Sequence, residues 1–469
     1  MTSSVTTSFN EIFLQSFKND LDSVGSQYYV GLARPTELTL GEDFNSRRFQ
    51  QEFRHGLQSL KTLSNSSFVV PRVDWNNTAI YSAYDDTTNN AYHVMNSLNE
   101  VFVCVQQGKE EDGRVKPVTD EPTTTKAAAY DESGLVSRSF RTDDDYIWRY
   151  LYKLSNLAVA NFLTSGFIPV KTIRSGNEIL TITEELSQRN NQDSAVAGEI
   201  IGIAIDSAGT NISSAPTITI VGNGTGAKFN CDVVGGKIVR VEIDSDGADL
   251  GQIGKPLSHG SGYNYANVVT SVGDAVLRPI ISQAGLNAVP LKTLNSSAIL
   301  LQVDFVGDEF DTILAENDFN QIGVVKDILQ FGSTSKFTGD TVNAMKSLDV
   351  TITTGGPFAE DERVENGGKT AKGVVFYHDT VANKLYYYQD ETTGFVPFDF
   401  AVDNTVSAVS GGSGTTATFT AQNNPSINAY SGEILYINNV GAEGLDTPTT
   451  GITKEDDQTE DIRIVIQLG

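Results

Sequence analysis

The sequence predicts a mainly β protein: one sheet-rich core with a few helices and two inserted small β modules. Three observations carry this reading. The stretch Asp143-Asp-Asp-Tyr-Ile-Trp-Arg-Tyr-Leu-Tyr-Lys-Leu154 alternates strictly, with Tyr146, Trp148, Tyr150, Tyr152 and Leu154 on one side. Ile147, Arg149, Leu151 and Lys153 take the other, and a period of two with aromatics on one side is a strand with a buried face. Many short β-branched runs are separated by turn residues, and glycine is abundant at 42 of 469 residues. Gly235-Gly236 between two such runs is a direct hairpin signal.

Taken in order, the chain opens with an amphipathic helix over 9–24. Phe9, Ile12, Phe13, Phe17 and Leu21 fall at helical spacing, while Asp20 interrupts the apolar set. Core packing is the expected use of that face. Tyr28 to Ala33 reads as a strand. Asn45 is placed to cap a second helix from Arg47 to Leu63, with Phe49, Phe53, Leu57, Leu60 and Leu63 in phase. Strand pieces follow at Ile80-Tyr81, Ala91–Val94 and Asn99–Val105. Residues 107–142 are polar and read as a long surface loop, an interaction arm. After the Trp148 strand come a helical turn near Ala158–Phe162 and a strand over Phe167–Ile173.

Composition then shifts. Residues 196–274 are rich in Gly, Ile, Val and Asp and read as a self-contained β module inserted in the core. Residues 275–336 return to the core style, with strands at Ala298–Phe305 and Gln321–Lys326. Residues 337–424 read as a second insert, a small barrel of short strands. Residues 425–469 complete the core, whose first part is 1–195.

The totals limit function. Net charge is −26, from 59 acids and 33 bases, which makes nucleic acid a poor partner and disfavours anionic membrane surfaces, so neither is expected as a partner. Two cysteines do not form a disulfide framework; Cys104 and Cys231 are expected as buried free thiols. The N-terminus lacks a basic-then-apolar signal pattern, and no apolar run nears the ~20 residues that span a bilayer. Assembly in a cytoplasm is the expectation.

No catalytic set is legible, so no enzyme activity and no cofactor or metal are expected. His55, His93, His259 and His378 are far apart in sequence, with no Cys pair at metal-ligand spacing. Gly222-Asn-Gly-Thr-Gly226 lies between two strands, which makes it a turn rather than a phosphate cradle. Acid clusters at Asp143–Asp145, Asp308-Glu309, Glu360–Glu362 and Glu455–Asp457 read as solvated loops. A glycosidase would need two carboxylates across a cleft.

Five segments, in order, resemble one family. They are Val70-Pro-Arg-Val-Asp-Trp75, Val101-Phe-Val-Cys104, Asp145-Tyr-Ile-Trp-Arg-Tyr-Leu151, Ser431-Gly-Glu-Ile-Leu-Tyr-Ile-Asn-Asn439 and Asp457-Gln-Thr-Glu-Asp-Ile462. The chain thereby resembles the baseplate wedge subunits of T4-like contractile-tailed phages, the gene-eight family. The likeness covers roughly 25–175, 290–330 and 425–469, and neither insert. Its fingerprint residues are Pro71, Asp74, Trp75, Tyr146, Trp148, Tyr150, Gly432, Glu433 and Tyr436. The resemblance implies a β-sandwich core, a homodimer within each wedge, docking with other wedge proteins, a place in the virion tail baseplate, and no enzyme activity. The competing reading is a tail adhesin or carbohydrate-binding protein, with Tyr386, Tyr387 and Tyr388 as a stacking surface. A polysaccharide-degrading enzyme is the third.

Overall fold

The computed structural model describes the chain except residues 1–6, 35–45, 64, 86–91, 130–138, 174–182, 194, 244–257, 283–289, 295, 297, 308, 310–311, 314–316, 410, 441–450, 456 and 468–469. The protein is mainly β, built of several antiparallel sheets with short helices. Two compact units divide it. One comprises Met1–Leu14, Ser67–Leu300 and Val465–Gly469, the other Gln15–Ser66 and Leu301–Ile464.

In the first unit a four-stranded sheet runs in the order His93–Met95, Glu100–Gln106, Ile147–Lys153, Ser139–Arg141. Both faces of Ile147–Lys153 are buried. Tyr146, Trp148 and Tyr150 join Phe102 and Cys104 on one face. Ile147, Leu151, Tyr152 and Leu154 join Val101, Val103 and Val105 on the other. The predicted alternation therefore fails after Tyr150. Tyr150 faces Phe102 and Tyr152 faces Val101, so Leu151 is a bulge residue that moves Tyr152 and Leu154 to the opposite face.

The second face is covered by an antiparallel pair, Glu199–Ser207 with Val276–Ser282. Ile201, Ala204 and Ile280 pack there with Val105. The approach is close: a Cβ on Gly202 would lie 2.2 Å from Val105 Cγ1. Between these two strands the chain adds Ile218–Gly222 paired with Ala266–Thr270, and the hairpin Phe229–Val234/Lys237–Ile243. Their own core holds Ile212, Phe229, Ile238 and Tyr263. Gly235 and Gly236 make the hairpin turn with φ of 59° and 79°, a region that favours glycine.

The described part of 107–142 is folded down rather than a free arm. Val118, Ala127 and Phe140 are buried, Thr124–Ala128 is a short helix, and Ser139–Arg141 is a strand beside Ile147–Lys153. The polar composition misleads because its acids and threonines serve turns and caps: Asp112 accepts from the Arg114 amide (3.0 Å) and Thr123 from the Lys126 amide (3.3 Å). Ile80-Tyr81 is irregular rather than a strand.

In the second unit a five-stranded sheet runs Thr341–Asn343, Leu57–Thr62, Tyr28–Ala33, Gln321–Lys326, Glu433–Asn439. The predicted helix 47–63 is only Arg47–His55, and Leu57–Thr62 is strand. Helical spacing of the leucines loses to pairing, because Leu57–Thr62 finds backbone partners on both sides. Ser46 caps the helix by accepting from the Phe49 amide at 3.2 Å, while Asn45, the predicted cap, lies outside the described residues.

The first helix, Thr7–Leu21, also departs from expectation. Ile12 and Phe13 are 67% and 54% exposed, whereas Leu14 is buried. Phe17 packs edge-on against Tyr28, with centroids 5.9 Å apart. A closed six-stranded barrel forms within 346–423, where the sequence predicts a small barrel. Its interior holds Leu348, Val364, Val375, Tyr387 and Phe419.

Candidate functional site

The fingerprint residues fall in two places. Around the four-stranded sheet, segments distant in sequence converge on one aromatic core. Tyr146 stacks on Trp148 with centroids 5.7 Å apart and planes at 16°, and Tyr81 meets Trp148 edge-on at 5.7 Å. Phe102 meets Tyr150 at 5.6 Å. Trp75 packs against this cluster from its rim, held by its amide donating to Met95 O at 2.8 Å. Asp74 pairs with Arg72 at 2.9 Å, and its carbonyl accepts from the Tyr81 hydroxyl at 2.8 Å. Pro71 ends the strand Asn65–Pro71, with its carbonyl 2.9 Å from His93 Nε2.

The other place is the turn into Glu433–Asn439. Gly432 has φ of 71°, and a Cβ there would lie 2.7 Å from Lys326 O. Arg54, in the last turn of its helix, donates to the carbonyls of Ala429 (2.9 Å), Ser431 and Gly432 (2.9 Å). One guanidinium thus fixes the turn that starts the strand. Glu433 faces Lys326 across the ladder and Tyr436 faces Val324. These residues shape backbone and core; none points to a reaction.

Acids of three of the clusters singled out for chemistry have a structural use. Asp145 pairs with Lys116 (2.5 Å) and Arg240 (3.2 Å). Glu360 and Asp361 hold Arg34 at 3.0 and 2.7 Å. Glu362 accepts from the Ser413 hydroxyl at 2.9 Å. Glu309 pairs with Lys61, and Asp308 lies outside the described residues. His378 Nδ1 accepts from the Phe358 amide at 3.0 Å, and His259 Nδ1 lies 3.0 Å from Ile200 O. Burial holds the imidazoles of His93 and His378 below the usual range. Cys104 and Cys231 are buried free thiols, both pushed up by burial, which disfavours the thiolate form. Among the described residues no group of three or more His, Cys, Asp or Glu is arranged to hold a metal, and no helix is long and apolar enough to cross a membrane.

Tyr386, Tyr387 and Tyr388 are all buried. Tyr387 points into the barrel, while Tyr386 and Tyr388 pack with Met345 and Phe376 on the other side. They form no sugar-stacking surface.

One feature had no signal in the sequence. His55, Lys346 and Gln389 meet in a cleft walled by Phe331, Tyr388 and Tyr430. Their separation along the chain hides the grouping, which depends on how the barrel's first strand and the 425–430 segment pack beside the helix end. No protein-family model matches the chain, and no curated protein matches it.

Proposed function

We propose that this protein is a structural subunit of a contractile-tail baseplate wedge, one that pairs with a second copy and docks with other wedge proteins during virion assembly. The observation that carries the proposal is the ordered set of family-like segments. Three of them, ending at Trp75, Cys104 and Leu151, contribute to a single aromatic core, as a fold fingerprint should. An assembly role also suits the surface. Ile12 and Phe13 expose adjacent apolar side chains on a helix, and such groups supply affinity when a partner covers them. A net charge of −26 keeps free copies apart and soluble. On this reading the protein resides in the tail baseplate, is assembled in the host cytoplasm, and is not an enzyme.

The purified protein should scatter light as a dimer and bind another wedge component with an affinity that salt changes only modestly. A strictly monomeric protein that binds no tail protein, yet binds or cleaves a host glycan, would overturn the proposal in favour of an adhesin or a polysaccharide-degrading enzyme.

A further inference from the structure

We propose that the cleft beside Lys346 binds a carboxylate carried on an apolar or aromatic body. Lys346 opens the first strand of the barrel, Lys346–Thr354. Its Nζ donates to Gln389 Oε1 at 2.9 Å. That amide cannot turn away, because Gln389 Nε2 is already committed to Lys372 O (2.8 Å) and Val396 O (2.7 Å). An ammonium has three donors, and here one fixed neutral acceptor takes one of them. Among the described residues no carboxylate lies within ion-pairing distance of Lys346. In a chain with 59 acids and 33 bases, a half-buried lysine without an acid is unusual. Burial holds its amine below the ordinary lysine range, and an anion entering the cleft would offset that cost.

The second wall supports the same chemistry. His55 ends the helix Arg47–His55 and is held between the rings of Phe395 (5.1 Å) and Tyr430 (5.6 Å). Its Nδ1 lies 3.6 Å from the carboxylate of Glu391, a side chain that is 66% exposed. The molecule itself therefore brings a carboxylate to this imidazole, from a largely exposed side chain. The other charged groups are occupied elsewhere: Arg54 by three carbonyls, and Asp390 by the amides of Thr392 and Thr393.

The rim specifies the rest of the ligand. Phe331 and Tyr430 line the cleft and are each 52% exposed, and Phe395 stands beside it at 42%. Phe395 adopts φ of 56°, a strained conformation for a bulky residue that aims its ring across His55. Predominantly apolar walls with a few convergent polar groups are the usual make-up of a ligand site. The same carboxylate chemistry can arrive on a free organic acid or on an acidic side chain flanked by aromatics in a peptide.

The four histidines make the test direct. Imidazole signals in nitrogen-correlated NMR spectra of the full chain, with His55 assigned from His55→Gln, are followed during titration with phenylacetate, and separately with acetyl-Phe-Asp-Phe-amide. Phenylacetamide and acetyl-Phe-Asn-Phe-amide are the neutral controls. Saturable movement of the His55 signal with either acid, and not with its control, is expected. A response to phenylacetate points to a free acid as the natural ligand, and a response to the peptide alone points to a protein segment. Lys346→Met should weaken binding by about tenfold, the loss of one charge-assisted contact. Phe331→Ala, at a position half exposed to solvent, should weaken it as well. Equal binding of acid and neutral control, or no response to either acid at millimolar concentration, overturns the proposal.

Discussion

The side chain of Gln106 satisfies both backbone groups of Val241: its Nε2 donates to Val241 O at 2.7 Å, and its Oε1 accepts from Val241 N at 3.1 Å. The same Nε2 donates to Ile203 O at 2.7 Å. A buried amide thus replaces a strand partner for Val241, and it joins the sheet that carries Gln106 to the strands packed upon it. Gln106→Leu would leave three buried backbone groups without partners. We expect a loss of about 2–4 kcal/mol in denaturant unfolding, since each unsatisfied buried group costs about 1–3 kcal/mol and water relieves part of it. Hydrogen exchange at the Val241 amide should accelerate in the same variant. An unchanged exchange rate would mean that the side chain merely fills space.

Trp148 is fully buried and stacked on Tyr146. Trp148→Ala should cost about 3–5 kcal/mol, as large-to-small core changes do. Its indole Nε1 is buried without a hydrogen-bond partner among the described residues, so Trp148→Phe removes none of the hydrogen bonds seen there and should cost clearly less. Equal losses for the two variants would mean that something other than ring volume holds this residue.

The same strand illustrates what a sequence carries and what it withholds. Tyr146, Trp148 and Tyr150 are legible as a buried face because a period of two is local. The change of face at Leu151 is not, because a bulge is decided by register against Glu100–Gln106. Leu57 and Leu60 fit a helix as well as a strand. Pairing with Tyr28–Ala33 and Thr341–Asn343 decides for the strand. Tyr386–Tyr388 alternate as strand residues should, but whether the outer face is wet depends on Met345 and Phe376 covering it. The Lys346 cleft is illegible for the same reason: its residues share a site only through long-range packing.

The strands Glu199–Ser207 and Val276–Ser282 begin their pairing at Ser207 and Val276, so everything from 208 to 275 leaves and returns at one point. Joining 207 to 276 through an Asn-Gly turn should give a folded protein that melts at a lower temperature, because Ile203, Ile205 and Leu277 lose the cover of Phe229 and Ile238. Removing 199–272 should be far worse. It takes away the partner of Val276–Ser282, the Ile201 contact with Val105, and both backbone partners of Gln106. Comparable solubility and cooperative melting of the two deletions would show that the pair is dispensable to the core.

Asp20 breaks the apolar stripe of the first helix for a reason that lies far along the chain. Its carboxylate accepts from Ser26 Oγ (2.8 Å), from the Tyr28 hydroxyl and from Lys326 Nζ (2.5 Å). The hydrogen bond from Lys326 comes first and that from Tyr28 second in holding the carboxyl down at about 2, against an ordinary 3.8. A carboxylate whose folded pKa is depressed contributes stability that is fully present above its unfolded pKa and is lost as pH falls through the folded one. The window here runs from about pH 4 down to about 2. Asp20→Asn should therefore destabilise the protein at neutral pH, by no more than about 1 kcal/mol because the side chain is 37% exposed and solvent screens the pair. The difference between the variant and the natural chain should close as the pH is lowered across that window. Unfolding free energies measured by denaturant at steps from pH 6 to about pH 2 would test this. A difference that stays constant over the whole range would mean that Asp20 acts by shape rather than by charge.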